Sequence, residues 1–419
     1  MIMKPVRAPT DASVAASSKP EPLQVDVLVA GSLASDTICD YIPAHTAAAN
    51  IGPILETSNP STIAQSAGGV GRNVAVAAHY AGANVALASV VANDVAGMSL
   101  LDQLQMSGLF TGLIRQLDVT DGARTAQYVA VNDAKKDLVL AMADMSILTR
   151  PELEAEHYWH ECLRSANPKW IVVDSNWSPA IMSSIISAAK AQSIPVAFEP
   201  VSTAKAIRLF DKTYPSIKAS NVVPNHSIRL ATPNTFELTA IHTALRENDY
   251  LASQHWWQVI DALGLSSTDT RDKFVSITST DLVQQGVPQQ CIQLLPYIPS
   301  LVTKLGSRGS LLTQLLRPND SRLRHPDHAP YILARNLEDD AVLGGVYMRL
   351  FPPAAHVDEN EIIGVNGIGD TMLGTVMAGL VKGRELHEII PIAQEAAVLS
   401  LKSKEAVSPK VQSLRTKLR

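Results

Sequence analysis

Near the far end of the chain, the run Gly364-Val365-Asn366-Gly367-Ile368-Gly369-Asp370-Thr371 sets a carboxylate after two flexible glycines and before an apolar stretch, 372–380. That stretch predicts a helix. A helix starting there aims its unpaired N–H groups, and the positive end of its dipole, at one small volume. A phosphate fits such a volume, and Asp370 stands beside it as a candidate base. An anion cradle with a base is the least equipment that moves a phosphoryl group onto a hydroxyl. Two glycines are a costly way to build a helix cap, because glycine loses much backbone freedom on folding. The element therefore reads as functional.

Other residues suit an acceptor or a nucleotide, each with a structural alternative. Asp36 follows a strand and a glycine turn, 31–35, where a carboxylate points into the crevice of a parallel sheet and can accept two hydroxyls of a ribose-like ligand; it can equally cap the turn. Gly68-Gly69-Val70-Gly71-Arg72-Asn73 lacks the dinucleotide spacing, and the chain has no GxxxxGK[ST] loop. Its glycines would let a ligand approach the backbone, and Asn73 could bond a polyol, or the run is a tight turn before a core helix. Asp174 and Asn176, at another strand end, line the site or cap the helix after Pro179. Asn234 and Glu237 share a helical face and could organise magnesium through its waters. Their spacing also matches a reciprocal helix cap, which is the stronger local reading. The turn Lys304-Leu305-Gly306-Ser307-Arg308-Gly309 could touch a phosphate tail, although a plain hairpin turn explains it better. His45, His79, His226 and His356 show no ligand spacing, and no nucleophile elbow supports a serine hydrolase.

The elements that must position these residues alternate. A strand over 25–30, a helix over 72–80 and a strand over 85–91 make the first strand–helix–strand unit. The rhythm continues with a strand at 170–173, a helix at 181–191 and a strand at 195–198. Strands are expected at 228–231, 274–278 and 300–304, an antiparallel return at 310–316, a short apolar segment at 344–350, and closing helices at 371–381 and 386–401. This is a parallel sheet covered by helices. Segments 38–46 and 125–131 leave no room for crossover helices and are expected to pair as a small accessory sheet, a lid. Segments 240–270, 280–297 and 318–341 look like insertions, the last a solvated loop.

The 419 residues are 46% hydrophobic and 18% charged, ample for a large core. A formal charge of -5 and the lack of a long basic run argue against a nucleic-acid polymer as partner. Cys39, Cys162 and Cys291 form neither a zinc spacing nor a disulfide framework, which suits a reducing compartment. The apolar stretches are too short for a bilayer. A cytoplasmic location is expected; the Ala-, Ser- and Pro-rich residues 1–22 read as a flexible tail and leave a mitochondrial or peroxisomal address open.

Taken together and in this order, Gly31 to Asp36, Gly68-Gly69 to Asn73, Asn234-x-x-Glu237, Leu305 to Gly309 and Gly367-Ile368-Gly369-Asp370 resemble the PfkB, or ribokinase-like, family of carbohydrate and nucleoside kinases. The resemblance implies one kinase domain over 23–408, an α/β/α sandwich with a central, mostly parallel sheet. A β lid would come from about 36–60 and 122–140, and a C-terminal tail would occupy 409–419. It implies ATP and Mg²⁺, allows stimulation by K⁺, and implies a small nucleoside or sugar acceptor and a homodimer formed through the lid. Asp36, Asn73 and the Gly68-Gly69 backbone would hold the sugar, with Asp174 lining the site. Thr125 and Tyr128 would meet the base of the nucleoside. Asp370 would be the general base, and the amides of Gly367, Ile368, Gly369 and Asp370 would hold the transferring phosphoryl group. Asn234, Lys304, Gly306, Ser307 and Gly309 would lie near ATP, and Asn234 and Glu237 would hold the water shell of Mg²⁺.

Within the family, the GGVxRN form of 68–73, Ala143-Asp144-Met145, and Glu199-Pro200-Val201-Ser202 with Lys205-Ala206 resemble the branch that phosphorylates the 5'-hydroxyl of pseudouridine. In some eukaryotes that kinase is fused to a pseudouridine-5'-phosphate glycosidase, and this chain corresponds to the kinase portion alone. The chain departs from the family where an acid is usual at 364 and an alanine at 368. Adenosine, ribose or another sugar is the alternative acceptor. A non-catalytic sugar- or nucleoside-binding protein is the alternative of another class.

Overall fold

The computed structural model describes residues 25–43, 52–264, 270–336 and 342–419. The tail expected over 1–22, His45 and the far end of the segment 38–46 lie outside them. Fourteen strands form among the described residues: β1 Val27–Ala30, β2 Ala34–Tyr41, β3 Ser61–Gly68, β4 Val85–Ala92, β5 Ile114–Leu117, β6 Gln127–Asn132, β7 Leu138–Asp144, β8 Trp170–Asp174, β9 Val196–Glu199, β10 Leu230–Ala231, β11 Ser300–Lys304, β12 Ser310–Leu316, β13 Ile332–Arg335 and β14 Gly345–Phe351. Ten make one sheet, in the order β13-β14-β12-β11-β10-β9-β8-β1-β4-β5. It is parallel from β11 to β5 and antiparallel across β11, β12, β14 and β13.

The sheet is buried on both faces, which is why its central strands are unbroken apolar runs. Along β1, Val27 and Val29 enter one core, with Val74 and Val376, while Leu28 and Ala30 enter the other, with Trp159 and Ile185. The helices Val70–Tyr80, Ile368–Leu380 and Leu386–Leu401 cover the first face; Glu156–Ala166, Pro179–Ala191 and Thr235–Glu247 cover the second.

The remaining four strands form the lid, ordered β3-β2-β6-β7. The expected pairing of the segments near 38 and 125 is present as β2 beside β6, in parallel. The lid is larger than the expected bounds, because β3 and β7 extend to Gly68 and Asp144. β3 runs through Gly68 and Gly69 directly into the helix Val70–Tyr80, so the small sheet and this glycine turn are one continuous segment.

Three expectations change. Residues 274–278 are not a strand but part of the helix Thr270–Ile277; Phe274 turns inward and the helix packs on β13 and β14. A short β-branched, aromatic run carries no periodicity that separates the two forms. The loop expected over 318–341 contributes an edge strand, β13. The segment read as a tail after 408 forms the 3₁₀ turns Pro409–Thr416, buries Val411 and Leu414, and donates from Arg415 to the carbonyls of Tyr80 and His79 at 2.8 and 3.1 Å. No helix among the described residues is long and apolar enough to cross a membrane.

Candidate active site

The helix Ile368–Leu380 begins on Gly367, whose φ of 75° is left-handed and whose position carries no side-chain cap. A β-carbon there would press on the Ala406 carbonyl. Glycine is therefore required. The first helical hydrogen bond is Thr371 N–H to Gly367 O, 2.8 Å, so the amides of Ile368, Gly369 and Asp370 face the mouth of the helix with no acceptor among the described residues.

Asp370 sits in that first turn, 9% exposed. Asn73 Nδ2 donates to its Oδ2 at 2.9 Å, and Arg72 Nη1 donates to Asn73 Oδ1 at 3.1 Å. Burial, and next the charge of Glu199, push the Asp370 carboxyl up to about 7, while Asn73 and Lys304 pull it down. The helices bearing Asn73 and Asp370 approach closely because residue 374 has no side chain; a β-carbon there would lie 2.5 Å from the Val74 carbonyl.

On the lid side, Asp36 pairs across strands with Ser66 and Tyr128. A β-carbon at residue 68 would overlap the Asp36 carboxylate, so the glycine makes room for the acid as well as for a ligand. Burial pushes Asp36 up to about 6, against the pull of Arg72. Gly69, at φ 97°, and Gly71 press the start of the helix onto the 31–33 backbone.

Asp174 is 1% exposed and accepts from Ser32 N–H, Ser32 Oγ and Asn176 N–H at 2.7, 2.9 and 3.0 Å. It ties the end of β8 to the turn after β1 rather than offering a free carboxylate to a ligand. Burial raises its pKa. Thr125 precedes the lid strand instead of lying in it. It is fully buried, donates to Asp94 Oδ1 at 2.6 Å, and so presents no surface to a nucleoside. Tyr128, beside Asp36, keeps its place in the lid.

The Asn234–Glu237 pair forms the reciprocal cap: Asn234 Oδ1 accepts from the N–H of Phe236 and Glu237 at 2.9 Å, and Glu237 Oε2 accepts from Asn234 N–H at 2.8 Å. One Glu237 oxygen is left over for a water. Burial raises the Glu237 pKa, while Lys304 pulls it down. Among the described residues no group of three or more His, Cys, Asp or Glu side chains can hold a metal ion.

Lys304, at the end of β11, joins these parts. Its Nζ donates to Glu199 Oε1 and Oε2 at 2.9 and 3.2 Å and lies 3.0 Å from where a β-carbon on Gly369 would stand. Burial alone would depress this ammonium, but Glu199, Glu237 and Asp370 hold it above the ordinary lysine range. Thr232 Oγ1 donates to Glu199 Oε2 at 2.5 Å. The turn Gly306–Arg308 is a tight connection between β11 and β12, as a hairpin reading expects. It also borders a cavity of about 600 Å³ lined by Asn234, Lys304, Gly306, Ser307, Gly309, Ile368 and Gly369. Its apolar wall comes from Pro353 to Val357, Met372 and Val398.

The structure thus gathers Asp36, Gly68, Gly69, Asn73 and Tyr128 on one side of Asp370 and the cavity on the other. Sequence reasoning missed Glu199, Ser32 and Arg72 as site residues, and the wall at 353–357. Glu199 had a signal: it ends an apolar strand as Asp174 does.

A carboxylate poised near neutrality stands next to Gly369, which lines the cavity with Ile368 and Lys304, and with the open amides this arrangement suits phosphoryl transfer. The family model for pfkB family carbohydrate kinases matches residues 39–258, and the chain belongs to that family, with a ribokinase-like fold. Among relatives, a pseudouridine-metabolizing bifunctional protein of Schizosaccharomyces pombe is 29% identical over 410 residues, 95% of this chain and 48% of that protein. A pseudouridine kinase of Escherichia coli is 32% identical over 155 residues, 37% of this chain and 47% of its own length. The chain spans about half the length of these curated relatives. Of solved structures, ribokinase from Cryptococcus neoformans in complex with ADP matches with TM-score 0.60 at 16% identity, covering 94% of this chain and 100% of that one. Arabidopsis thaliana ribokinase complexed with ribose and ATP matches at TM-score 0.58 and 15% identity, covering 95% and 99%.

Proposed function

We propose that the protein transfers the γ-phosphoryl group of ATP to the 5'-hydroxyl of pseudouridine, giving pseudouridine 5'-phosphate and ADP. The observation that carries the phosphotransferase chemistry is Asp370: buried, raised to about 7, and set in the same helical turn as the open amides. The choice of acceptor rests on the two relatives named for pseudouridine and on the 68–73 and 199–206 stretches.

Asp36 accepts hydroxyls of the ribose, Asn73 and the Gly68-Gly69 backbone complete the sugar side, and Tyr128 meets the base. Asp370 takes the proton of the 5'-hydroxyl as that oxygen attacks the γ-phosphorus. The bond to the β–γ bridging oxygen breaks, and ADP leaves with its electron pair. Ile368, Gly369 and Asp370 donate N–H groups to the equatorial phosphoryl oxygens, where charge is carried in the transition state. Lys304 adds a positive charge at the same mouth. The nucleotide occupies the cavity beside Gly306, Ser307 and Gly309.

The donor set fits a magnesium ion that keeps most of its waters and takes its other ligands from the phosphates. The leftover Glu237 oxygen, with Asn234, would hold that water shell, and the ion would neutralise charge between the phosphates. The lid closes over the acceptor and excludes water. Its outward apolar row, Ile63, Cys39, Val131 and Leu140, suits a homodimer through the lid.

The test is a panel of pseudouridine, uridine, adenosine and ribose with ATP and Mg²⁺, read by phosphorylated product. Pseudouridine is expected to turn over fastest. Turnover of ribose or adenosine without pseudouridine would overturn the acceptor, and binding without any product would favour a binding protein.

A further inference from the structure

We propose that Arg72 is a positioning residue that holds the Asn73 amide against the base Asp370. This rests on the base assignment above. Arg72 enters the site on the first turn of its helix, held by its own N–H to Ser32 O at 3.0 Å. Its Nε is buried without a partner, and among the described residues its guanidinium makes no ion pair. A half-buried guanidinium without an ion pair keeps its charge free to orient the groups it touches.

Its side chain makes one hydrogen bond, Nη1 to Asn73 Oδ1, and Asn73 passes the other end of its amide to Asp370 Oδ2. The cation fixes the carbonyl side of the amide, which leaves only donors facing the carboxylate. On its other flank the charge of Arg72 opposes the rise that burial imposes on Asp36. Tyr80, Glu405 and Asp36 are the titratable groups facing Arg72. Glu199, Lys304, Asp174 and Asn73 are the groups facing Asp370.

The test uses the full chain and the pH dependence of kcat/KM with ATP, Mg²⁺ and the acceptor that turns over. Wild type is expected to lose activity below about pH 7. Arg72→Gln drops the charge that grips the Asn73 carbonyl, weakens the hydrogen bond that holds Asp370 down, and should move this limb up by up to about one unit. Arg72→Lys keeps the charge and should restore most of the shift. An unchanged limb in Arg72→Gln overturns the proposal; should that variant not fold, an Arg72→Lys limb displaced by a full unit overturns it.

A second readout needs no turnover. The Asp370 pKa is raised in the fold, so the stability of wild type relative to Asp370→Asn should fall as pH rises from about 4 and level off above about 7. In the Arg72→Gln background the levelling should come about one unit higher. The same levelling point in both backgrounds overturns the role of Arg72. A panel without product overturns the kinase reading alone.

Discussion

At the scale of single residues, the site is governed by what surrounds two carboxylates. Asp370 needs its ionised form to accept a proton, and burial has carried it to about 7. Raising the pH through 7 should therefore raise the rate, with a single acid limb in kcat/KM centred within about one unit of that value. Asp36 depends on the space left by Gly68. In Gly68→Ala the new methyl overlaps the Asp36 carboxylate, so the acceptor KM should rise tenfold or more, by a loss of about 1.4 kcal/mol or more in binding, while the KM for ATP changes little. Initial-rate kinetics with each substrate varied in turn checks the split.

At the scale of elements, the site exists because two helices can touch. Asn73 and Asp370 are 297 positions apart and meet at 2.9 Å only because Gly374 lets their helices close. Gly374→Ala should cost roughly 1–3 kcal/mol of stability by overpacking, and should lower kcat more than it raises either KM; thermal melting and kinetics together check it. The same scale separates what the sequence declares from what it hides. The cradle was legible because glycine before an acid at a helix start has a local meaning. The strand–helix rhythm was legible because fully buried strands must be apolar. The cap at Asn234 was legible as one of two readings, and its hydrogen bonds now occupy most of both side chains. Thr125 and Asp174 were ambiguous because a polar residue beside a strand end looks alike whether it faces a ligand or braces the next turn; their hydrogen bonds to Asp94 and Ser32 show the bracing. Glu199 gained its place beside Lys304 from the pairing of β9, β10 and β11, which no local pattern announces.

At the scale of the whole molecule, the small sheet is largely open to solvent along β3 and β7. Its outer strand exposes Leu138, Leu140 and Met142 at 60%, 51% and 65%, more apolar surface than a free edge usually carries. A dimer through the lid would cover it. Light scattering should find a dimer for the wild-type chain and a monomer for the double variant Leu140→Glu, Met142→Glu, with a weaker acceptor KM. A wild-type monomer would remove the dimer from the account. The large sheet and its two cores, by contrast, hold Asn73, Asp370, Lys304 and the cavity beside them around one point. The most direct measurement at that point is phosphorus NMR of the products formed from pseudouridine, ATP and Mg²⁺ by wild type and by Asp370→Asn. The account predicts a 5'-monophosphate from wild type and a loss of roughly 10²–10⁴-fold in its rate of formation in the variant. Undiminished formation by Asp370→Asn would contradict it.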